Sequence, residues 1–296
     1  MIKLNYKFLC TFLFLVSTII TAKENDNVNN SNFNNPLQTL AFNCAAGTAQ
    51  TLLDINNVKT TILNGGDMWW DLNNGRYEIP QGSGKHSMFA GALWIGGLDD
   101  QGNLKVAGQT YRQSGNDFWP GPLDNVRLTE DQFPNPNYGS TDASICAQYD
   151  NHHVIYRTEV EEFIGYLNSD EPSVDFPDYS IPKSILEYPG NRNTDNLQGG
   201  FSGYDAEVST APYYAQESLA PFYDANGDGF YDPLAGDYPE YNIDGNLNCK
   251  EADMLFGDQT LWWVYNDNGN IHTESQSETS IGIEIQAQAF AFSTND

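Results

Sequence analysis

Positive charge is scarce in this 296-residue chain: 13 Lys and Arg stand against 40 Asp and Glu, a formal net charge of −27. A surface so poor in cations repels phosphate backbones, which excludes nucleic acid as a partner class. Cysteine is scarce too, with four in all. That is too few for a disulfide scaffold, and no Cys/His group has the spacing of a zinc site. Beyond the first 20 residues no long apolar run occurs, so no later segment reads as a membrane span. Helix signals are few, with no extended apolar pattern at spacings of three and four. Two catalytic signatures are also missing. Gly82-Ser83-Gly84-Lys85-His86-Ser87 approaches a phosphate loop, but Ile79 stands where that pattern needs Gly and His86 where it needs Ser or Thr. No Ser sits in a nucleophile elbow.

The apolar run that does exist is N-terminal. Lys3 and Lys7 precede the uncharged stretch Phe8 to Ile20, and Thr21-Ala22 offers a small residue for cleavage. This is the pattern of a secretory signal over residues 1–22. Cys10 would be lost with it. Cleavage leaves 11 basic residues against the same 40 acids, a net charge of −29. It also leaves an odd number of cysteines: Cys44, Cys146 and Cys249. One pair, such as Cys44–Cys146, then leaves the third free or bonded elsewhere. Residues 23–53 form an Asn-rich leader and the approach to the ordered chain, with little to bury.

From residue 54 to 296 the pattern is all-β. Short apolar or alternating runs lie between Gly, Asn, Asp and Pro turns, among 26 Gly, 17 Tyr, 16 Phe and 6 Trp. The fold expected is a β-sandwich-like set of antiparallel sheets with long irregular loops. Met88 to Ile95 and Leu104 to Tyr111 read as a hairpin around Asp99-Asp100-Gln101-Gly102-Asn103. The small residues Ala90, Gly91, Ala92, Gly96 and Gly97 point to a close-packed face or a neighbouring backbone. A second hairpin is expected from Thr260–Tyr265, through the Asn-Gly turn at 266–270, back at Ile271. His153 to Tyr166 alternates weakly and reads as a strand. Thr279 to Phe292 reads as a long strand with Ile281, Ile283, Ile285, Ala287, Ala289 and Ala291 on one face. Residues 133–203, rich in Pro, Asn, Asp and Gly, read as long loops.

The stretch with most chemistry is Asp224-Ala225-Asn226-Gly227-Asp228-Gly229-Phe230-Tyr231-Asp232. Side-chain oxygens recur at every second residue, and Gly229 permits the reversal that brings the Phe230 carbonyl and Asp232 toward the same point. A hard cation with about six to eight oxygen ligands needs such an arrangement. An EF-hand would place Glu at its twelfth position, where Ala235 stands, and Pro233 disfavours an immediate exit helix. The loop resembles those of thrombospondin type 3 repeats and dockerins. That resemblance implies Ca2+ held by Asp224, Asn226, Asp228, the Phe230 carbonyl and Asp232, with Asp237 as a sixth ligand, over residues 224–237. A metal-free Asx turn is the competing reading.

Aromatic residues offer a second candidate. Asn64-Gly65-Gly66-Asp67-Met68-Trp69-Trp70-Asp71 sets two tryptophans between aspartates, and with Trp119 they could stack on sugars; packing in the core is the alternative. His152 and His153 are adjacent, so on a strand their rings point apart and one metal cannot easily take both. Glu159, Glu161 and Glu162 read as an exposed charged face rather than a glycosidase pair.

The strings Leu63 to Asp71, Arg76-Tyr77-Glu78-Ile79-Pro80, Ser83 to Gly97 and Gln109 to Pro122 together resemble the N-terminal region of large secreted proteins of Bacteroidetes. Those proteins carry a C-terminal type IX secretion sorting domain. The resemblance spans roughly Val58 to Asp296 and implies passage through export machinery to a cell-surface or secreted, adhesin-like role, with a surface glycan or protein as partner. No activity is implied by it. The expectation is an exported, calcium-stabilised, non-catalytic surface protein; the alternative is a carbohydrate-binding or glycan-degrading module.

Overall fold

The computed structural model describes residues 43–112, 114–124, 137–190, 219–241, 254–277 and 279–294. The signal segment, most of the leader and Cys249 lie outside the described residues. In chain order, β1 (Gln50–Leu53), β2 (Lys59–Leu63), β3 (Asp67–Met68), β4 (Tyr77–Glu78), β5 (His86–Met88) and β6 (Gly91–Ala92) form one antiparallel sheet. Its order is β5-β4-β2-β3-β6, with β1 also paired to β2. β7 (Trp94–Leu98) and β8 (Leu104–Gly108) form a two-stranded hairpin around the expected turn. Then come β9 (Trp119–Pro120), α1 (Ala143–Gln148), β10 (His153–Tyr156), α2 (Arg157–Leu167), α3 (Pro172–Asp175) and α4 (Lys183–Leu186). β11 (Phe222–Tyr223), β12 (Tyr238–Pro239), β13 (Gln259–Asn266) and β14 (Glu284–Ala291) complete the order. The protein is mostly antiparallel strand with few helices, as the all-β reading expects.

β13 organises the core. All eight of its residues, Gln-Thr-Leu-Trp-Trp-Val-Tyr-Asn, are buried. A strand covered on both faces needs apolar residues of both parities. Trp262 and Val264 enter one cluster with Ile155, Val160, Tyr188, Tyr231 and Leu255. Leu261, Trp263 and Tyr265 enter the other with Ile62, Ala107, Phe118, Ile285, Ala287 and Ala289. Each large side chain so buried contributes about 1.5–3 kcal/mol. β14 runs along one edge of β13 from Gln259↔Ala291 to Asn266↔Glu284. The other edge is shared, by β10 at Gln259–Trp262 and by β9 at Tyr265–Asn266.

Cys44 and Cys146 are joined, with Cα atoms 5.7 Å apart and a sequence separation of 102. The bridge is buried against Trp119. α1 presents Cys146 there. Its start is fixed by Asp142, whose side chain accepts the amides of Ser144 and Ile145.

Three expectations need correction. The segment after His153 is a strand only to Tyr156; Arg157–Leu167 is helix. Val160, Phe163, Ile164 and Leu167 stand at spacings of three, four and seven, and this short helical period outweighs the weak alternation. Val160 and Phe163 are its buried residues, and Ile164 packs against the same core as Val160. Residues 137–190 are not a run of loops but carry β10 and α1 to α4. The Asn-Gly turn after β13 does not return at Ile271: β13 pairs with β14, and residues 267–277 and 279–283 are irregular, with Ile281, Gly282 and Ile283 folded back on Asp267. The face expected of the last strand is right where it pairs, with Ile285, Ala287, Ala289 and Ala291 buried.

Candidate functional site

The acidic loop is pinned at its base by β11 and β12, which pair Phe222↔Pro239 and Tyr223↔Tyr238. The rings of Tyr223 and Tyr238 stack at 4.7 Å. Between them the chain turns on its own side chains. Asp224 accepts the amides of Gly227, Asp228 and Gly229 at 2.7, 3.3 and 2.8 Å. Asn226 Oδ1 accepts the Asp228 amide, Asp228 Oδ1 the Phe230 amide, and Asp232 Oδ1 the Leu234 amide. Gly229 has φ +81 and open space where a Cβ would sit, so the glycine is needed for its backbone rather than for room. Tyr231, mid-loop, points inward, and its hydroxyl donates to the Ile185 carbonyl.

Asp237 closes the loop from beneath. It is buried and takes the amides of Ala225 and Asp232, both at 2.8 Å. Burial pushes its carboxyl above the ordinary range, and the charges of Asp224 and Asp228 push the same way. Asp224 is held below its ordinary value, first by the Gly229 amide. Among the described residues no three Asp, Glu, His or Cys side chains converge as a metal-holding group. The residues named as ligands thus share one loop, with carboxylates turned onto backbone amides. Their donor atoms are hard oxygens, beside a buried carboxylate that feels the charge of Asp224 and Asp228.

The aromatic candidates are placed differently. Trp70 is buried, and its indole N–H donates to Asp67 Oδ2 at 3.0 Å. Trp119 is buried on the disulfide and tilted against His272. Trp69 has φ +73 and lays its ring on Gly91, where an added Cβ would meet the ring at 2.6 Å. The close-packed face expected at Gly91 is therefore this contact. These three rings do not form a shared open platform. His152 and His153 lie against Trp263 and Trp262 respectively, on opposite faces of the sheet. Burial lowers His152 to about 4. Glu159 takes the Ser184 hydroxyl and sits on α2, not on a strand.

Two buried polar clusters had no local signature. Arg112 Nη2 meets Asp67 Oδ1 at 2.5 Å and also donates to the Asn64 carbonyl, while Nε reaches Asp67 Oδ2 and Nη1 the Gly47 carbonyl. Burial raises the Asp67 carboxyl against the pull of Arg112. The second cluster sets His272 between Asp117 and Asp267, at 3.8 and 3.6 Å. Asp117 accepts the amides of Gly108, Glu274 and Ser275. Asp267 accepts those of Ile281, Gly282 and Ile283.

Among the described residues no helix is long and apolar enough to cross a membrane. Comparison with protein-family models, curated proteins and solved structures finds no match to this chain.

Proposed function

We propose that this chain is an exported, calcium-stabilised structural or adhesin-like protein of the cell surface or extracellular space, and not a catalyst. The observation that carries the reading is Asp237: a buried carboxylate closing the 224–237 loop, with Asp224 and Asp228 both adding negative potential to it. A divalent cation held by Asp224, Asn226, Asp228, the Phe230 carbonyl, Asp232 and Asp237 would offset that repulsion. The Cys44–Cys146 bridge supports an oxidising compartment. In this reading the first sheet and the β13 sheet pack in a β-sandwich-like way across the Ile62–Trp263 cluster. Partners are a surface glycan or protein, after passage through export machinery.

The carbohydrate-module alternative is weaker, since Trp70 and Trp119 face the core. The test is thermal unfolding of the chain in millimolar calcium and in excess EDTA, beside Asp228→Ala. Extracellular calcium modules bind with Kd on the order of 10⁻⁴ to 10⁻³ M, and calcium at about 10 times Kd stabilises by about 1.4 kcal/mol. A midpoint that rises with calcium in the wild type and not in the variant supports the reading. Equal midpoints with calcium and with EDTA would overturn it and leave the loop a metal-free turn.

A further inference from the structure

Among the described residues the hairpin β7–β8 presents an open edge. Its register runs Trp94↔Gly108, Ile95↔Ala107, Gly96↔Val106, Gly97↔Lys105 and Leu98↔Leu104. Along an antiparallel strand, residues alternate between those whose amide and carbonyl face the partner and those whose groups face away. Both ends of the hairpin fix the phase. The Gln109 amide donates to the Leu93 carbonyl and the Asp99 amide to the Asn103 carbonyl, so the odd-numbered residues face inward.

On β8 the outward groups are used. The Val106 carbonyl meets His272 Nδ1 and the Ser275 hydroxyl, and the Gly108 amide donates to Asp117. On β7 the outward groups belong to Trp94, Gly96 and Leu98. Among the described residues these amides and carbonyls have no hydrogen-bond partner.

The same strand exposes apolar side chains. Trp94 is 55% exposed, Leu98 72%, and Leu104, across from Leu98, 69%. The Trp94 ring is fixed: its N–H donates to the Gln109 carbonyl, and one face lies on Gly108, where a Cβ would collide at 2.6 Å. From Ser87 to Leu98 there is no Asp, Glu, Lys or Arg, in a chain whose acids outnumber its bases by 27. An apolar, uncharged edge of this kind is the form that natural sheets otherwise block with charge, proline or a bulge.

The geometry points to a second copy of this chain as what covers the edge, β7 pairing antiparallel with β7 of the other copy about Gly96. In that register Trp94 of one copy faces Leu98 of the other, and Gly96 faces Gly96. Each facing pair brings together outward amides and carbonyls, so each exchanges two hydrogen bonds. Centring on Ile95 or Gly97 instead sets one of the two apolar side chains against Gly96. Gly96 at the twofold axis keeps the seam free of a side-chain collision. The lack of charge matters most for a partner of the same sign: two strongly acidic copies meet where neither carries a carboxylate. A basic or acidic foreign strand would find no charge to recognise there. Such pairing is an isologous interface, closed at two copies.

The experiment is sedimentation velocity of the full chain across the micromolar range, with Leu98→Lys in parallel. The expected result is a monomer–dimer equilibrium that Leu98→Lys weakens by about tenfold or more, with a melting midpoint equal to the wild type's at the dilute, monomeric end, since Leu98 is exposed. Hydrogen exchange on the wild type supplies a readout independent of the variant's folding. The Trp94, Gly96 and Leu98 amides should become protected only as the dimer fraction rises. A chain monomeric throughout, with fast exchange at those amides, overturns the proposal. So does a dimer in which they remain unprotected or which a folded Leu98→Lys leaves intact. Protection that appears only on adding another protein assigns the edge to a foreign strand and overturns it as well.

Discussion

Asp224 and Asp267 do the same thing in opposite surroundings. Each gathers three backbone amides on one carboxylate. Asp224 does so at the surface, with donors three to five residues ahead. Asp267 does so in the interior, with donors 14 to 16 residues ahead, and Asp117 beside it reaches 157 and 158 residues to Glu274 and Ser275. The energetic meaning differs accordingly. Water can replace a lost acceptor at the surface. In the interior nothing can, and each stranded amide costs about 1–3 kcal/mol. Their acidities record the contrast: Asp224 is lowered by its amides, chiefly that of Gly229, whereas burial wins at Asp267 and raises it. The interior cluster holds the fold; the surface loop is shaped by the fold and left available.

The sharpest way to break this contrast is Asp267→Ala. It removes the acceptor of three amides and a neighbour of the buried His272, so a loss of about 4–5 kcal/mol is expected by denaturant unfolding. A loss as small as that of an exposed substitution would remove the distinction. Next comes the double variant Cys44→Ser with Cys146→Ser. Releasing a bridge across 102 residues should cost about 3–4 kcal/mol, read as a shifted urea midpoint that reductant also produces in the wild type.

His152 gives a third, pH-dependent test. Burial lowers it from 6.5 to about 4, so the unfolded chain takes up a proton that the folded chain refuses. Stability is therefore full above pH 6.5, falls as pH drops toward 4, and loses about 3 kcal/mol from this group in all. Unfolding at pH 7, 5.5 and 4 should show that slope, and His152→Phe should flatten it. The smallest effect belongs to Asp224→Ala in EDTA, where the melting midpoint should barely move. With calcium present the same variant should lose the ion's stabilisation. If Asp224→Ala in EDTA matched Asp267→Ala, the loop would be as structural as the interior cluster.

What could be read from residue order follows the same division. The acidic loop spells its turns within nine residues, because each oxygen reaches an amide a few positions away. Of the β7–β8 hairpin the turn was equally readable, since Asp99 takes the amides of Gln101 and Asn103; its first strand was not, because Met88, Gly91 and Ala92 of the expected Met88–Ile95 run pair in the first sheet and β7 begins at Trp94. The all-β character showed through short runs and turn residues. The helix at Arg157–Leu167 did not, because its apolar period covers only eight residues and starts inside a strand-like run. The partner of β13 was hidden because the Asn-Gly turn signal is local, whereas Asp267 draws the following chain inward and delays the return until Glu284. Arg112 and Asp67 stand 45 residues apart, so neither betrays the other. Trp70 and Trp119 look alike in a sequence whether they face solvent or a core. Only the bridge beside one and Asp67 beside the other decide it.

The strand buried on both sides also dictates a timetable. β13 receives β9 from residue 119, β10 from residue 153 and β14 from residue 284 onward. A chain emerging from its N-terminus cannot assemble this sheet until nearly 290 residues are out, and pairings so distant in sequence close slowly. Until then Leu261, Trp263 and Tyr265 lack the Ile285, Ala287 and Ala289 side of their cluster. A chain with fewer residues out thus keeps the β14 edge of β13 unpaired, a state that a chaperone or a translocation pore can engage and that a folded domain would deny.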